Sequence, residues 1–283
     1  MLARIKTFLE LIKFEHTAFA LPFAYLGMIT ARESWPSLGI FLWVTAAMVG
    51  ARTAAMCLNR VIDLGIDARN PRTKNRPTVT AQISVPAALG ASAAAIALFF
   101  FSAWRLNPLC LKLAPVALIF LVGYHYVKRF SFLSHFVLGL TLGMAPVAGW
   151  IAVTGALSWK PFLPGLAVLF WVAGFDIIYA LLDMDFDRAY GLYSVPAQFG
   201  RERALEISRY CHVATVFFLS LFGLLLGFGV IYWVGLAVVA GLLKLEHTLV
   251  GEGDLDQINT AFFNINGWIG ILLLIFTFLE IYR

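Results

Sequence analysis

Long apolar segments alternate with short polar ones along almost the whole chain. Each apolar segment is too long for a barrel strand of about 10 residues, and none shows the alternation of a half-buried strand. The pattern predicts nine membrane-spanning helices, at about 16–32, 37–62, 85–104, 109–127, 131–154, 161–182, 208–228, 229–246 and 262–281. The seventh and eighth are separated only by Gly223, Gly227 and Gly229. Residues 1–13 carry a narrower apolar stripe and predict a short amphipathic helix on the membrane surface.

The composition indicates the same class of protein. Hydrophobic residues make up 61% of the 283 positions and charged residues 13%, about half the charged fraction of a soluble domain. A soluble globular protein is thereby excluded. We expect an all-α polytopic membrane protein with a single transmembrane domain over residues 1–283.

Positive charge is distributed unevenly between the two sides of the predicted helices. Of the 21 Lys and Arg residues, 15 lie on the side of the N-terminus, five on the other side and Arg52 inside the second helix. Because cytoplasmic loops retain Lys and Arg, the N-terminus and the even-numbered loops are predicted to be cytoplasmic, in an inner (plasma) membrane. This topology accounts for the net charge of +5, so we expect contact with the lipid bilayer and no nucleic-acid partner.

Two polar clusters interrupt the apolar pattern, at the ends of the second and sixth predicted helices. The first contains Asn59, Asp63 and Asp67, and the second contains Asp176, Tyr179, Asp183 and Asp187. Spacings of three and four residues place the members of each cluster on one face of a continuous helix. The first cluster lies 120 residues before Tyr179, Asp183 and Asp187, which indicates an internal repeat.

The internal repeat predicts how the helices are arranged. An even number of helices separates the two clusters, so both are expected at the same, cytoplasmic end of the protein. The sequence therefore predicts two parallel four-helix repeats, about 14–130 and 131–246, and a ninth helix at about 262–281. Both clusters would face one central cavity.

Acidic side chains that meet in such a cavity repel one another, and their burial is costly unless they are paired or bind metal. Oxygen ligands without His or Cys suit Mg²⁺, which takes one or two carboxylates and completes its shell with water and phosphate. The candidate metal ligands are Asn59, Asp63, Asp67, Asp183 and Asp187. Two Mg²⁺ ions would still leave the site negative once a diphosphate arrives, so basic residues are needed as well.

Basic residues on the same side can complete the charge balance. Arg72, Arg76, Lys128 and Arg129 are the candidate diphosphate-binding residues. The alternative is that the acids are solvated loop residues and the bases are the ordinary cytoplasmic charge signal. For the bases taken singly the two interpretations have equal weight, whereas two acidic clusters in register favour a metal site.

These motifs resemble those of a known family. Asn59-x-x-x-Asp63-x-x-x-Asp67, Arg72-Thr-x-x-Arg76-Pro77 and Tyr179-Ala-x-x-Asp183-x-x-x-Asp187 are similar to the motifs of the UbiA-type intramembrane aromatic prenyltransferases. Tyr124-x-Tyr126-x-Lys128-Arg129 is similar to a further family signature, and the resemblance covers nearly the whole chain. It implies nine helices around a cavity, two Mg²⁺ ions that hold a polyprenyl diphosphate, and transfer of the prenyl group to an aromatic ring.

The implied reaction assigns roles around the acceptor. A carbon of the phenol ring attacks the prenyl carbon as the diphosphate leaves, and a base then removes the proton from that ring carbon. Asp176 and Tyr179 are the candidate catalytic residues, with Asp176 orienting or deprotonating the phenol. Arg52 and Tyr124 are the candidate acceptor-binding residues, since a guanidinium deep in a helix suits an aromatic carboxylate. The alternative for Arg52, with equal weight, is an internal salt bridge, for example to Asp176.

Two aromatic acids remain open as the acceptor. The chain resembles a bacterial subgroup labelled as 4-hydroxybenzoate polyprenyltransferases, which favours 4-hydroxybenzoate in quinone biosynthesis. It departs from the ubiquinone-pathway pattern at residues 13–17 and at Arg60, and part of the subgroup is associated with a dihydroxynaphthoate acceptor for menaquinone.

Two alternatives come from other classes of protein. A cation-coupled secondary transporter would hold its acids nearer the middle of the membrane than these helix-end clusters lie. A phospholipid-type phosphotransferase would carry a denser Asp-Gly pattern on a smaller set of helices.

Overall fold

The computed structural model describes residues 2–12, 17–31, 36–251 and 265–283, and all regular secondary structure in these residues is helical. The helices are α1 (Leu2–Ile12), α2 (Thr17–Thr30), α3 (Leu38–Ile62), α4 (Leu64–Asp67), α5 (Val85–Leu106), α6 (Pro108–Val127), α7 (Ser134–Thr154), α8 (Phe162–Ala180), α9 (Met184–Tyr190), α10 (Val195–Leu226), α11 (Val230–Gly251) and α12 (Asn266–Ile281). The all-α prediction is confirmed. The predicted starts of the first and ninth spans, at 16 and 262, and the unusual residues 13–16 lie outside the described residues.

In the described part of the chain, seven helical segments are long and apolar enough to cross a membrane. They coincide with seven of the predicted segments, and two shorter apolar helices, Ala20–Thr30 and Asn266–Ile281, fall within the other two. Large apolar side chains such as Trp104, Ile119 and Leu224 are exposed, as expected of a protein surface that faces lipid.

The helix α10 is longer than its predicted apolar segment. It begins at Val195, not near residue 208, because Ser194 caps it and Pro196 occupies its first turn. Its first 15 residues include Gln198, three Arg and two Glu residues, which lower the hydropathy of this part, and a non-helical Gly200 (φ 82°, ψ 169°) interrupts it. At the other end, left-handed Gly227 (φ 66°) stops the helix, which confirms the predicted division between the seventh and eighth segments.

The chain forms two compact units, Met1–Ala18 with Ser37–Tyr126, and Phe19–Pro36 with Val127–Arg283. In the first unit α3 packs closely on α5: a Cβ atom on Gly50 would lie 2.8 Å from the Ala95 carbonyl oxygen. Small residues permit such close approach of helices in membrane proteins.

The amphipathic α1 also packs on α3. Leu11 and Ile12 form a buried apolar cluster with Met56 and Cys57. The buried Arg60 Nε donates to the Leu11 carbonyl oxygen at 3.1 Å, so α1 is tied to the last turn of α3, where the first acidic cluster begins.

The second unit is built around α8. The helix α7 packs on it at Gly139 and Gly143, where added Cβ atoms would lie 2.2 and 2.5 Å from α8 carbonyl oxygens. On another side, Ser208 of α10 donates to the Gly174 carbonyl oxygen at 2.8 Å. The fully buried Trp171 lies at the centre of this core, which fixes the end of α8 that carries the second acidic cluster.

From Phe19 onward the helix α2 belongs to the second unit, although in sequence it lies between the two segments of the first unit. An added Cβ atom on Gly27 would lie 1.9 Å from the Pro146 carbonyl oxygen, and one on Gly149 would lie 2.0 Å from that of Ala24. The α2 and α7 backbones are therefore in direct contact.

Candidate active site

The first acidic cluster lies at a break between two helices. The helix α3 ends at Ile62, Asp63 follows with φ −94° and ψ 6°, and the short α4 ends at Asp67. Asp63 and Asp67 are only 2% and 3% exposed. Because the chain turns at Asp63, the three residues do not lie on a single helix, and the predicted end of the second span at residue 62 is confirmed.

The amide of Asn59 holds the Asp63 carboxylate. Its Nδ2 donates to Asp63 Oδ2 at 2.9 Å and lies 3.0 Å from His125 Nδ1, while its Oδ1 accepts from Arg60 Nη1 at 3.0 Å. A guanidinium only donates and a carboxylate only accepts, so the two contacts fix the orientation of the amide. Asn59 therefore positions Asp63, and its role as a direct metal ligand stays a prediction.

The loop after α4 brings a predicted diphosphate-binding residue to a predicted metal ligand. Arg76 Nη1 forms an ion pair with Asp67 Oδ2 at 2.6 Å. Thr73 Oγ1 donates to the Asp67 carbonyl oxygen at 3.1 Å, and the Arg72 amide donates to Asn70 Oδ1 at 2.9 Å. These bonds fold the basic loop back on the first acidic cluster.

The second acidic cluster lies at a matching break. The helix α8 ends at Ala180, a 3-10 turn covers Leu181–Asp183, and α9 follows. Asp183 has φ −108° and ψ 4°, close to the values at Asp63. The two clusters therefore share a local backbone conformation at equivalent Asp residues.

Asp187 lies in a mixed acidic and basic environment. The Ser194 hydroxyl is within hydrogen-bonding reach of its carboxylate, and Asp183, Lys128 and His135 are its ionisable neighbours. The Tyr193 amide donates to the Lys128 carbonyl oxygen at 2.7 Å, which fastens the loop after α6 to the segment after α9. Lys128 is therefore close to the second acidic cluster, as Arg76 is to the first.

Asp176 is paired with a histidine. His135 Nδ1 lies 2.7 Å from Asp176 Oδ2, and His135 Nε2 accepts from the Val195 amide at 3.2 Å. Because the amide can only donate, Nε2 carries no proton and Nδ1 donates to the carboxylate. Tyr179 lies three residues further along α8, next to the end of the helix.

Arg52 and Tyr124, the two predicted acceptor-binding residues, are electrostatic neighbours in the first unit. The Arg52 Nε is buried and has no hydrogen-bond partner among the residues described. Such an atom is costly to leave unmatched, so it marks a place where a ligand oxygen would be favourable.

The sequence did not indicate the roles of His125 and His135. His125 contacts Asn59, and His135 contacts Asp176. The available signal was a polar side chain beside or inside an apolar helix, which in a membrane protein needs a partner.

The carboxylates suit Mg²⁺ better than a metal with an all-protein ligand shell. Within the described residues, no group of three or more His, Cys, Asp and Glu side chains is placed to hold a metal ion. Mg²⁺ needs only one or two carboxylates because water and substrate phosphates complete its shell. Each unit supplies two Asp residues of the predicted set, so the donor chemistry fits.

Comparisons with known proteins identify the family. The UbiA prenyltransferase family matches residues 20–268. The 4-hydroxybenzoate octaprenyltransferase of Paraburkholderia phytofirmans is 30% identical over 276 residues, covering 95% of this chain and 94% of the relative. That of Nitrosospira multiformis is 30% identical over 244 residues, covering 86% and 83%.

Solved structures agree with this match. The apo structure of a UbiA homologue from Aeropyrum pernix K1 has a TM-score of 0.87 and 36% identity, covering 94% of this chain and 98% of its own. A UbiA homologue from Archaeoglobus fulgidus, bound to GPP and Mg²⁺, shares the fold with a TM-score of 0.74 at 22% identity, covering 98% and 100%. The chain therefore belongs to the UbiA prenyltransferase family, as a multi-pass membrane enzyme similar to the 4-hydroxybenzoate octaprenyltransferases.

Proposed function

We propose that the chain transfers a polyprenyl group from its diphosphate to 4-hydroxybenzoate in a Mg²⁺-dependent reaction of quinone biosynthesis. The observation that carries the proposal is the pair of acidic clusters, each with an Asp at the same backbone break and a basic residue beside it. The relatives named above as 4-hydroxybenzoate octaprenyltransferases support the choice of acceptor.

The proposal includes a topology of nine spans. In it, α2 and α12 cross the membrane together with the seven longer segments, as two parallel four-helix repeats and a ninth helix around a central cavity. The similar backbone at Asp63 and Asp183, 120 residues apart, supports the repeat. The N-terminus and both acidic clusters would face the cytoplasm, as the distribution of Lys and Arg favours.

Asp63, Asp67, Asp183 and Asp187 would hold two Mg²⁺ ions, directly or through water, with Asn59 as a fifth ligand or as the support of Asp63. The bound ions would neutralise charge on the departing diphosphate. The Archaeoglobus fulgidus homologues bound to Mg²⁺ with GPP or DMAPP support this assignment.

Arg72, Arg76, Lys128 and Arg129 would donate to diphosphate oxygens. Cleavage of the allylic C–O bond leaves both bonding electrons on the diphosphate, whose added charge these donors stabilise. The ion pair of Arg76 with Asp67 and the position of Lys128 beside Asp187 keep each cation at an acidic cluster before substrate binds.

The acceptor would be held by its carboxylate and activated at its phenol. Arg52, with its unmatched Nε, would bind the carboxylate, next to Tyr124. Asp176, oriented by the proton on His135 Nδ1, would accept the phenol proton or orient the hydroxyl, with Tyr179 nearby on α8.

The decisive experiment is incubation of the purified protein with a polyprenyl diphosphate, Mg²⁺ and either 4-hydroxybenzoate or a dihydroxynaphthoate. Mass spectrometry of the lipid extract should detect prenylated 4-hydroxybenzoate, and EDTA should abolish it. If only the dihydroxynaphthoate is prenylated, it and not 4-hydroxybenzoate is the acceptor. If neither acid is prenylated, the proposal is rejected.

A further inference from the structure

A groove of about 750 Å³ lies between α10 and α11, apart from both acidic clusters. The two helices are antiparallel: Tyr232 OH donates to the Leu219 carbonyl oxygen at 2.8 Å near their connection, and His247 Nε2 lies 2.9 Å from His212 Nδ1 further away from it. The groove therefore runs along the helices, with one end near their connection and the other near the start of α10.

The lining of this groove changes from basic to apolar along its length. Arg209, Lys244 and His247 line the end near the start of α10, and Val213, Phe217 and Ala240 line the remainder. Arg209, Val213 and Phe217 are four residues apart, so they follow one face of α10 over roughly 12 Å. Val213 and Phe217 are 66% and 54% exposed, so the apolar part opens on the surface of the protein.

The basic end carries two cations, Arg209 and Lys244, and Glu206 acts on Arg209 only through space, without an ion pair. Within the described ranges, neither Arg209 nor Lys244 forms an ion pair with a carboxylate. Glu206, one turn before Arg209, is already bonded to Arg203 at 2.5 Å.

The buried Glu246 has other partners, among them His212 of the groove lining, whose Nδ1 lies 3.9 Å from Glu246 Oε2. Its Oε1 accepts from Asn266 Nδ2 at 2.7 Å, and Asn266 in turn accepts from Trp171 Nε1 at 2.8 Å. The carboxylate is 0% exposed and joins α11 to α12 and α8, so it does not compete for Arg209 or Lys244.

We propose that the groove binds an anionic phospholipid, with its headgroup phosphate on Arg209 and Lys244 and an acyl chain along Val213 and Phe217. Arg presents a planar fork to phosphate oxygens and Lys a compact charge, a combination suited to a phosphodiester. Basic pockets between membrane-spanning helices bind such headgroups. A free phosphate ion would leave the apolar part without an occupant, whereas a lipid fills both parts.

Native mass spectrometry of the purified protein with equal amounts of phosphatidylglycerol and phosphatidylcholine tests the proposal. We expect phosphatidylglycerol to bind at least tenfold more tightly, and millimolar inorganic phosphate not to displace it. The variant Arg209→Gln/Lys244→Gln should lose about 30-fold in phosphatidylglycerol affinity, because each basic residue contributes to the attraction of an anionic lipid. Ala240→Phe, which fills the apolar part and keeps both charges, should also weaken lipid binding.

The control variant Lys6→Gln/Lys112→Gln removes two exposed charges outside the groove and leaves the Arg203–Glu206 pair intact, so it should change phosphatidylglycerol affinity less than twofold. Equal loss in both double variants, displacement by inorganic phosphate, or full binding by Ala240→Phe would each overturn the proposal. Undiminished occupancy in Arg209→Gln/Lys244→Gln would assign the groove to a neutral lipid or isoprenoid instead. Melting temperatures identify folded variants, and Lys244→Gln alone replaces the double variant if that one unfolds.

Discussion

Single residues in the acidic clusters are held by partners that are far away in sequence. The Asp63 carboxylate is bonded by Asn59, whose amide also contacts His125 in α6, and Asp176 is bonded by His135 in α7. Because each contact satisfies a polar group that would otherwise be costly to bury, the carboxylates have fixed positions before any ligand arrives.

Substitution of the proposed metal ligands should remove turnover and keep the fold. Asp63→Ala, Asp67→Ala and Asp183→Ala should each lower Mg²⁺-dependent product formation by about 100-fold or more, since metal ions supply several kcal/mol of charge stabilisation. The proteins should remain folded because loss of a charge from an acidic cluster relieves repulsion. Asp185→Ala is the matched control: Asp185 lies between two motif residues but is exposed, and its loss should change turnover less than about twofold. If one of the three Ala variants keeps full activity, the substituted Asp is not an essential metal ligand.

Arg52 should affect one substrate only. If it binds the aromatic carboxylate, Arg52→Leu should raise the KM of the acceptor by about 30-fold or more, because a charged hydrogen bond contributes roughly 2–3 kcal/mol. The KM of the polyprenyl diphosphate should be unchanged, and Arg52→Lys should restore part of the loss. Arg105→Leu, in the same unit but stacked on Trp43 and Trp104, is the control. An unchanged acceptor KM in a stable Arg52→Leu protein would reject this role.

His135 should act through Asp176. His135→Phe removes the Nδ1–H donor, so kcat should fall about 10- to 100-fold while both KM values stay within about twofold. His135→Asn places an amide donor near the same point and should recover a large part of kcat. A packing role predicts the opposite order, with Phe tolerated better than Asn.

At the scale of the helices, the acidic clusters lie where α3 and α8 end, not within the membrane-spanning parts of these helices. The apolar pattern predicts α3, α8 and α11 because lipid requires long runs of apolar side chains that bond their own backbone. It also predicts spans that end at residues 62 and 182, next to Asp63 and Asp183, but it predicts neither the turn of the chain at these two residues nor that α10 begins 13 residues before the apolar run. Those features depend on caps and on contacts between distant residues, which leave no periodic signal.

The interruption at Gly200 gives a prediction at this scale. Its φ of 82° with ψ of 169° is accessible almost only to glycine, so Gly200→Ala should cost roughly 1–3 kcal/mol and lower the melting temperature by several degrees. Gly241→Ala, in α11 with open space around the added methyl group, should be neutral or stabilising by up to about 1 kcal/mol. Thermal unfolding of the two variants in parallel checks this, and equal melting temperatures would contradict it.

For the whole molecule, the distribution of Lys and Arg predicts on which side of the membrane each loop lies. Reporter fusions should place residues 75 and 190 in the cytoplasm and residue 283 on the opposite side, because positive charge favours the cytoplasm. A residue 75 outside the cytoplasm would mean that α2 does not cross, and a cytoplasmic residue 283 would exclude α12 as the final span.

Some residues of the candidate site stand in local sequence motifs, whereas others are defined by contacts between residues far apart in sequence. Asp63, Asp67, Asp183 and Asp187 stand in local motifs at a fixed separation, so the sequence alone identifies them. The partners of Asn59 and Asp176 are 66 and 41 residues away, and only packing brings them together. A residue's chemistry was therefore easier to predict than the contact that orients it.

The helix α2 packs on α7, which the ribosome makes much later. Gly27 and Pro146 are 119 residues apart, and a ribosome adds about 5–20 residues per second, so α2 exists for roughly 6–24 s before its partner is made. In the proposed topology lipid, and no protein surface of α7, covers the small residues on α2 during that interval. Because α2 is apolar and has no charged residue, it is stable in lipid until α7 is made. A polar substitution on its buried face can therefore be tolerated in the finished protein and still block assembly.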